Sequence, residues 1–186
     1  MKRIFDFIGA LIAIVVLFCP LLGLALIIWA SDSGPVLYWS DRVGRNNRIF
    51  KMPKFRSMRV GTPEVATDKL QSPDEWLTSI GSLIRRSSID ELPQLWSILR
   101  GEMSFVGPRP ALFNQSDLIA LRDRFGVYQL RPGLTGLAQV NGRDDQSITQ
   151  KVSFDVEYLR NRSFLLDLKI LWLTVVRVTT KNGVSH

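Results

Sequence analysis

The longest uncharged stretch of the sequence limits what this chain can fold into. No charged residue occurs from Phe7 to Ser31, a run of 25 residues. A helix of that length rises about 37 Å, and the hydrocarbon core of a bilayer is about 30 Å thick. The stretch is also too long for a secretory signal peptide and lacks a small-residue cleavage site before the next charge. It therefore predicts a membrane-bound protein.

The charges that flank this stretch predict how it lies in the membrane. Lys2 and Arg3 precede it, and seven basic residues follow against only Asp32 and Asp41. The seven are Arg42, Arg45, Arg48, Lys51, Lys54, Arg56 and Arg59. By the positive-inside rule both flanks are cytoplasmic, which a straight span does not satisfy. Pro20 removes a helical hydrogen bond near the middle, and each half alone reaches only about 20 Å. The residues leave two alternatives: a reentrant hairpin bent at Pro20, or a spanning helix that tolerates the proline.

The composition restricts the size of the protein and the kind of partner it has. At 186 residues there is room for one main domain, and the net charge of +7 indicates a negatively charged partner. Nucleic acid, an anionic membrane surface and a phosphorylated small molecule all meet that condition. A single cysteine, Cys19, excludes an internal disulfide, and a single histidine, His186, excludes a Cys/His zinc cluster.

The pattern of the remaining chain predicts a mainly α-helical protein with a small β-hairpin. Two segments rich in β-branched and aromatic residues, "VLYWSDRV" and "RIFKMPKF", flank the turn-like "GRNN" at 44–47. Helices are predicted at 72–86, from about 92 to 100, and at 115–130. The segment Phe164 to Val178 is apolar over most of its circumference, which is typical of an interfacial helix and almost equally of a core helix.

Two adjacent carboxylates, Asp90 and Glu91, lie at a predicted helix start. Ser88 to Glu91 spells S-x-x-E, so a capping box is the structural explanation, although Pro93 fits poorly at the fifth helical position. The functional explanation is that a helix N-terminus keeps a carboxylate ionised, as a nucleophile or metal ligand must be. Taken alone, such a pair more often caps a helix.

The basic residues that surround the pair favour the functional explanation. Arg85 and Arg86 precede it, Arg109 lies between two prolines, and Arg131 and Arg143 lie in glycine-containing loops. Prolines restrict the backbone and so reduce the entropy lost when a guanidinium binds phosphate. A diphosphate brought to two carboxylates calls for Mg²⁺ to neutralise its charge. No Walker A or G-x-G-x-x-G string is present, so the common nucleotide-binding loops are excluded.

Four separated strings resemble one known family in its order: "KFRSM" (54–58), "SSIDELPQLWSILRGEMSFVGPRP" (87–110), "RPGLTGLAQVNGR" (131–143) and "SFLLDLKILWLT" (163–174). The chain resembles the bacterial sugar transferases, and within them the small monotopic phosphoglycosyl transferases, from "KRIFDF" at residues 2–7 to "GVS" at 183–185. The resemblance favours the reentrant form of the first segment.

The resemblance implies transfer of a sugar-1-phosphate from a UDP-sugar to polyprenol (undecaprenyl) phosphate, with release of UMP. Asp90 would be the nucleophile that forms a covalent phospho-sugar intermediate, Glu91 its partner, and Mg²⁺ the cofactor bound by both. The implied substrate-binding residues are Lys54, Arg85, Arg109, Arg131 and Arg143. The small form of the family implies an acetamido or diacetamido sugar, and the reaction would begin the assembly of a membrane glycoconjugate.

The resemblance also implies a division of the chain and a location in the cell. Residues 1–31 would form the reentrant membrane hairpin, with Cys19 and Pro20 where the family has Ser-Pro, and residues 32–186 a cytoplasmic catalytic domain with interfacial helices. The protein would lie on the cytoplasmic face of the bacterial inner membrane, in contact with anionic lipid. No nucleic acid is expected, since the aromatic residues are scattered, and the oligomeric state stays open, a homo-oligomer included. The competing hypotheses are a noncatalytic basic module and a metal-dependent phosphohydrolase.

Overall fold

The computed structural model describes residues 1–65, 70, 72–142 and 146–180. Within these ranges the chain is mainly helical with a small antiparallel sheet, as predicted. The helices are α1 (Lys2–Ser31), α2 (Gly81–Arg86), α3 (Leu95–Arg100), α4 (Ser116–Arg124), α5 (Leu137–Asn141), α6 (Ile148–Asn161) and α7 (Phe164–Thr180). The strands are β1 (Leu37–Val43), β2 (Ile49–Phe55), β3 (Ser104–Val106), β4 (Ala111–Leu112) and β5 (Gly133–Thr135).

The predicted hairpin is confirmed. Strands β1 and β2 pair antiparallel, from Leu37 opposite Phe55 to Val43 opposite Ile49. The turn between them contains Asn46 and Asn47 in the left-handed region, which asparagine tolerates better than most residues. On the other edge of β1, the short strand β4 pairs with Arg42 and Val43. This three-stranded sheet forms one wall beneath the site described below.

Helix α1 lies along the domain for most of its length. Ala10, Ile14 and Leu17 pack in a cluster with Phe50, Met52, Leu95, Ile98 and Met103. Further along, Leu24 and Ile28 pack with Phe55 and Ile84. Its opposite face is apolar and exposed. The exposed apolar residues of α1 include Ile8, Ile12, Val15, Val16, Phe18, Leu22, Ile27 and Trp29.

Both ends of α1 are attached to the same domain. At the start, Lys2 pairs with Asp167, Arg3 donates to the carbonyl of Leu99, and the Asp6 carboxylate accepts the Phe105 N–H. Just beyond the other end, Arg56 donates to the carbonyls of residues 32 and 33. The contacts attach both ends of α1 to one domain, and the location of both flanks on one side of a membrane stays a prediction.

Pro20 lies inside α1, which is assigned as one helix from Lys2 to Ser31. A proline removes one backbone hydrogen bond, and here residues on both sides of it pack against the domain. The structure thus does not show the predicted break, and the reentrant hairpin stays a prediction. By length and composition α1 is apolar enough to cross a membrane.

Helix α7 forms as predicted and turns Asp167 and Thr174 inward. Asp167 is buried and accepts hydrogen bonds from Lys2 and from the Tyr158 hydroxyl, while Thr174 bonds the Thr135 side chain. Three polar residues of α7, Lys169, Thr179 and Thr180, are exposed. Most of its exposed residues are apolar: Phe164, Leu165, Leu168, Trp172, Val175, Val176 and Val178. A helix that exposes its apolar side is suited to contact with lipid.

The predicted helix at 72–86 forms only in part. Ser72 provides no side-chain cap, and a 3₁₀ turn (Pro73–Trp76) is followed by extended Leu77, which bridges to Met58. The Thr78 N–H then bonds the Ser57 carbonyl, so tertiary pairing takes the backbone groups that a helix would need. The helix predicted at 115–130 likewise ends at Arg124 and gives way to a 3₁₀ turn (Val127–Gln129).

Candidate active site

The Asp90–Glu91 pair lies in a 3₁₀ turn (Ile89–Gln94) that leads directly into α3. Ser88 precedes the turn in the left-handed region, at φ +56°, and makes no side-chain cap, so the predicted capping box does not form. Pro93 is accommodated because the α-helix begins only at Leu95. A non-glycine residue in this conformation costs about 1 to 3 kcal/mol, and such residues concentrate at functional sites.

The carboxylate of Glu91 is held by two cations. Lys54 Nζ donates to Glu91 Oε1 at 2.9 Å, and Arg109 Nη2 donates to the same oxygen at 3.1 Å. The side chains of Lys54 and Glu91 are about one-sixth exposed, whereas that of Arg109 is 47% exposed. Glu91 therefore joins three separate segments of the chain, and nearly half of the Arg109 side chain is exposed at the mouth of the cleft.

The carboxylate of Asp90 is buried but weakly engaged. Its nearest cation is Lys54, with Nζ 3.9 Å from Oδ2, and its side chain is 11% exposed. Burial raises the pKa of Asp90 to about 6, the charge of Glu91 adds to the effect, and the charges of Lys54, Arg85 and Arg109 oppose it. Burial thus works against the helix-end effect predicted from the sequence. At neutral pH the carboxylate is still mostly ionised, with no hydrogen bond from the described residues holding its oxygens.

Lys54 reaches the pair because of the alternation of β2. Phe50, Met52 and Lys54 are two residues apart and so lie on one face of the strand. The first two are buried in the core, and Lys54 continues the same face to the rim, where β2 packs against the 3₁₀ turn. The position of this lysine thus follows from strand geometry once the turn has packed on the strand.

The loop that carries Arg109 is held by close backbone packing. Strands β3 and β5 pair parallel, which brings "GPRP" next to "RPGLTG". A Cβ on Gly133 would lie 2.1 Å from the Gly107 nitrogen, and one on Gly107 would lie 2.3 Å from the Arg131 carbonyl. Gly133 N–H also bonds the Pro108 carbonyl at 2.8 Å. The glycines are therefore required for the close approach that positions Arg109.

A second support for Arg109 comes from a buried ion pair. Arg122 on α4 pairs with Asp155 on α6 at 2.8 Å, and its Nη1 donates to the Arg109 carbonyl at 2.9 Å. The loop is thus tied to two helices as well as to β5.

The other predicted substrate-binding arginines fall in different places. Arg85 lies in the last turn of α2, and its charge lowers the pKa of Asp90, which places it near the pair. Arg131 donates to the Gly101 carbonyl at 2.8 Å, and burial together with the charges of Arg45 and Arg3 lowers its pKa. Its recorded contacts do not include Asp90 or Glu91. Arg143 lies outside the described residues.

Arg42 and Gln94 also line the cleft, and motif reasoning did not select them. The small cleft is bounded by Arg42, Met52, Lys54, Glu91, Gln94, Arg109, Pro110, Gly133 and Leu134. Arg42 lies on β1, and the period-two alternation that places it on the face of Ser40 was a usable signal. Gln94 is buried one turn after Asp90, and nothing in its sequence context distinguishes it from a core residue.

Asp90 and Glu91 could hold a magnesium ion only if substrate phosphate and water complete its coordination. No group of three His, Cys, Asp or Glu side chains suited to a metal occurs in the described part of the chain. Mg²⁺ in phosphoryl-transfer sites is commonly held by one or two carboxylates, substrate phosphates and water. Asp90 and Glu91 meet that requirement, since the oxygens of Asp90 accept no hydrogen bond from the described residues.

Comparisons with known proteins agree on one family. Residues 1–181 match the model of the bacterial sugar transferase family. The chain is 41% identical to the exopolysaccharide production protein ExoY of Rhizobium meliloti, over 98% of this chain and 87% of that protein. It is 40% identical to the UDP-galactose-lipid carrier transferase of Erwinia amylovora, over 98% of this chain but only 41% of that protein.

A third relative is the undecaprenyl-phosphate glucose phosphotransferase of Komagataeibacter xylinus, with 42% identity over 95% of this chain and 35% of that protein. The chain therefore spans well under half the length of two of these relatives and most of the other. The match covers the carboxylate turn, the Arg109 loop and α1 together. This chain belongs to the bacterial sugar transferase family.

Proposed function

We propose that the protein transfers a sugar-1-phosphate from a UDP-sugar to polyprenol (undecaprenyl) phosphate and releases UMP. The observation that carries the proposal is the buried Asp90 carboxylate, which no described residue holds by a hydrogen bond, next to Lys54 and the Glu91–Arg109 pair. The names of two relatives specify undecaprenyl phosphate and a lipid carrier, which supports this class of acceptor.

The reaction divides into two displacements at one phosphorus atom. A carboxylate oxygen of Asp90 attacks the phosphorus that bears the sugar, and the bond from that phosphorus to the bridging oxygen breaks, so UMP leaves with the electron pair. A phosphate oxygen of the polyprenol phosphate then attacks the same phosphorus and returns the Asp90 carboxylate. Since donor and acceptor react in turn, a water-soluble and a lipid substrate need not be bound together.

The neighbouring residues have distinct tasks in this proposal. Lys54 and Arg109 neutralise Glu91 and present N–H groups at the mouth of the cleft, where phosphate charge would accumulate. Asp90 and Glu91 are the residues that would hold Mg²⁺, which would supply further neutralisation of the diphosphate. The raised pKa of Asp90 means that its carboxylate is less strongly stabilised by its surroundings than an exposed one.

The exposed apolar faces support a location at the membrane. Helices α1 and α7 meet where Phe5 and Phe164 contact each other edge to face, at 5.2 Å between ring centroids. Both helices expose apolar side chains, and both ends of α1 contact the domain. We propose that these two helices seat residues 32–186 on the cytoplasmic face of the inner membrane, with basic residues toward anionic lipid.

The donor sugar is best settled by a screen. The resemblance favours acetamido or diacetamido sugars, whereas the names of two relatives specify galactose and glucose. UDP-galactose, UDP-glucose, UDP-N-acetyl sugars and UDP-diacetamido sugars therefore belong in the same panel.

The test is UMP release by purified protein with Mg²⁺, the donor panel and undecaprenyl phosphate. Asp90→Asn is expected to lower the rate by at least about a thousandfold, because an amide does not form the acyl phosphate. The Asp117→Asn variant, which changes an exposed carboxylate in the first turn of α4, is the matched control and should retain the wild-type rate. Undiminished turnover by Asp90→Asn would refute the covalent route.

The products separate transfer from the phosphohydrolase alternative. A lipid-linked diphosphate sugar indicates transfer, while free sugar phosphate indicates hydrolysis. Protein quenched with donor alone should carry a phospho-sugar adduct on Asp90, read by mass spectrometry. A noncatalytic basic module would show neither product with any donor.

A further inference from the structure

Arg42 lies in the wall of the cleft and is held in one orientation. Its Nε donates to Ser40 Oγ at 2.9 Å, and its Nη1 donates to the Pro110 carbonyl at 3.2 Å. The Ser40 hydroxyl is fully buried and donates in turn to Glu64 Oε1 at 3.0 Å. This chain of hydrogen bonds keeps the guanidinium against the Arg109 loop.

The guanidinium of Arg42 has donors left over. An arginine carries five N–H donors, and these two bonds use two of them. None of the ion pairs in the described ranges includes Arg42, although the charges of Glu91 and Glu64 act on it from a distance. A buried charge is costly unless a counter-ion approaches it. Burial and then the charge of Arg109 lower the pKa of Arg42 to about 10, which reflects that cost.

The cleft as a whole has more positive than negative charge. Three cations line the cleft, Arg42, Lys54 and Arg109, against one anion, Glu91, which Lys54 and Arg109 already share. Arg42 bonds the carbonyl of Pro110, next to Arg109 in the sequence, and the charges of the two arginines repel each other. Two guanidinium groups that line one partly buried cleft are suited to an anion with several oxygens, and phosphate is the anion they match best.

We propose that Arg42 binds substrate phosphate together with Arg109. The inference rests on the proposed function in one respect, since it takes phosphate from that reaction as the ligand. Two sources share this chemistry: the diphosphate of the nucleotide sugar and the phosphate of the lipid acceptor. Arg42 does not contact Asp90 in the structure, so its task is to hold phosphate oxygens rather than to react.

A purely structural role predicts different behaviour. If Arg42 served only to tie β1 to the Arg109 loop through Pro110, its loss would lower stability and the turnover rate. It would not selectively weaken the binding of a small phosphate anion to the folded protein. Binding of inorganic pyrophosphate, measured without turnover, separates the two roles.

The experiment uses the full chain in lipid nanodiscs and titrates inorganic pyrophosphate by calorimetry. Arg42→Gln is expected to weaken pyrophosphate binding by at least about tenfold, as loss of charge-assisted hydrogen bonds does. Arg48→Gln is the matched control, because it removes the same charge from an exposed position of the same hairpin, and it should stay within about twofold of wild type.

Equal pyrophosphate affinity in folded Arg42→Gln and wild type would overturn the proposal, as would a wild type that does not bind pyrophosphate. If Arg42→Gln fails to fold, the proposal is tested on the wild-type protein by chemical modification of its arginines. Phenylglyoxal modifies arginine side chains, and pyrophosphate should slow modification of Arg42 but not of Arg48, read by peptide mass spectrometry. Equal modification rates at Arg42 with and without pyrophosphate would contradict the proposal that Arg42 binds phosphate.

Steady-state kinetics then assign the source of the phosphate. A raised KM for the UDP-sugar places the donor diphosphate at Arg42, and a raised KM for polyprenol phosphate places the acceptor there. An unchanged KM for both substrates would overturn the proposal. Pyrophosphate binding needs no turnover, so the two proposals can fail separately. A wild type that binds pyrophosphate through Arg42 but releases no UMP would refute the transferase proposal and leave the Arg42 proposal standing.

Discussion

At the scale of single residues, the site depends on burial and charge acting in opposite directions on Asp90. Burial favours the protonated acid, and three basic residues favour the carboxylate. The balance leaves a group that is ionised at neutral pH but costly to keep ionised. Glu91 differs because Lys54 and Arg109 donate directly to it. Two adjacent carboxylates of similar intrinsic acidity are thereby given different surroundings.

Asp90 is therefore expected to destabilise the folded protein as the pH rises. Its folded pKa of about 6 exceeds its ordinary value of 3.8, so the folded state binds the proton more tightly, and stability falls as the pH rises from about 4 to 6. Asp90→Asn removes this cost and should raise the free energy of unfolding at pH 7.5 by about 1 to 3 kcal/mol. The gain should shrink toward pH 4, as measured by denaturation at both pH values.

The matched control for this prediction is Asp117→Asn. Asp117 is exposed in the first turn of α4, where a carboxylate is favoured by the helix dipole. Its replacement should leave stability unchanged or slightly reduced at pH 7.5. A pH-independent effect of Asp90→Asn, or a loss of stability at pH 7.5, would contradict the cost assigned to burial.

At the scale of elements, short pieces held by backbone contact position the cleft. The 3₁₀ turn with the carboxylates packs on β2, and the Arg109 loop is locked between β3, β5 and α4. The first turn of α1 reinforces both, since Arg3 donates to carbonyls at the end of α3 and Asp6 accepts from Phe105 in β3. Helix α1, which exposes an apolar face, thus contacts the elements that carry both halves of the site.

Gly133→Ala tests whether backbone approach positions Arg109. The added Cβ would meet the Gly107 nitrogen at 2.1 Å and the Thr135 carbonyl at 2.4 Å, so the backbone must shift. We expect a loss of about 1 to 3 kcal/mol in stability and at least about a tenfold loss in kcat. Both are measured on the purified variant, by denaturation and UMP release.

Gly23→Ala is the control for the same substitution. A Cβ on Gly23 would meet nothing within 4 Å, and alanine favours the helical backbone of α1. Its stability and rate should match or exceed those of wild type. A Gly133→Ala variant with normal activity would show that Arg109 does not depend on the close packing of the two loops.

At the scale of the whole molecule, the surface is divided between an apolar side and a polar cleft. Helices α1 and α7 expose apolar side chains, while Asp6 and Asp167 face inward and pair with other groups. This inversion of the usual amphipathic arrangement is explained if lipid, rather than water, covers these faces. A lipid acceptor would then approach from the same side on which the protein is anchored.

The positions of the two ends of α1 predict the membrane topology. A cysteine inserted after Met1 and a second variant, Ser33→Cys, both in a Cys19→Ser background, should react with an impermeant thiol reagent from the cytoplasmic side only. The physical reason is that both ends contact one domain. The measurement is labelling of intact spheroplasts and of inverted vesicles, and labelling from opposite sides would establish a span.

Local sequence patterns were enough to predict the helices and strands in which apolar residues recur with a clear period. The β-hairpin and α7 form as predicted, because alternation and apolar content leave few other solutions. The 25-residue uncharged stretch forms a long apolar helix, although the predicted break at Pro20 is not seen. The carboxylate pair and Arg109 could also be selected, from their placement at a helix start and between prolines. These features depend on residues close together in the sequence.

Only the tertiary structure decided which residues share the cleft. Parallel pairing of β3 with β5 brings "GPRP" and "RPGLTG" together. Arg42 reaches the Arg109 loop, where it bonds the Pro110 carbonyl, although 67 positions separate Arg42 from Arg109 in the sequence. Arg131, which the motif suggested for the same site, instead bonds Gly101. The physical reason is that burial, charge balance and backbone approach depend on contacts between distant segments, which no local pattern contains.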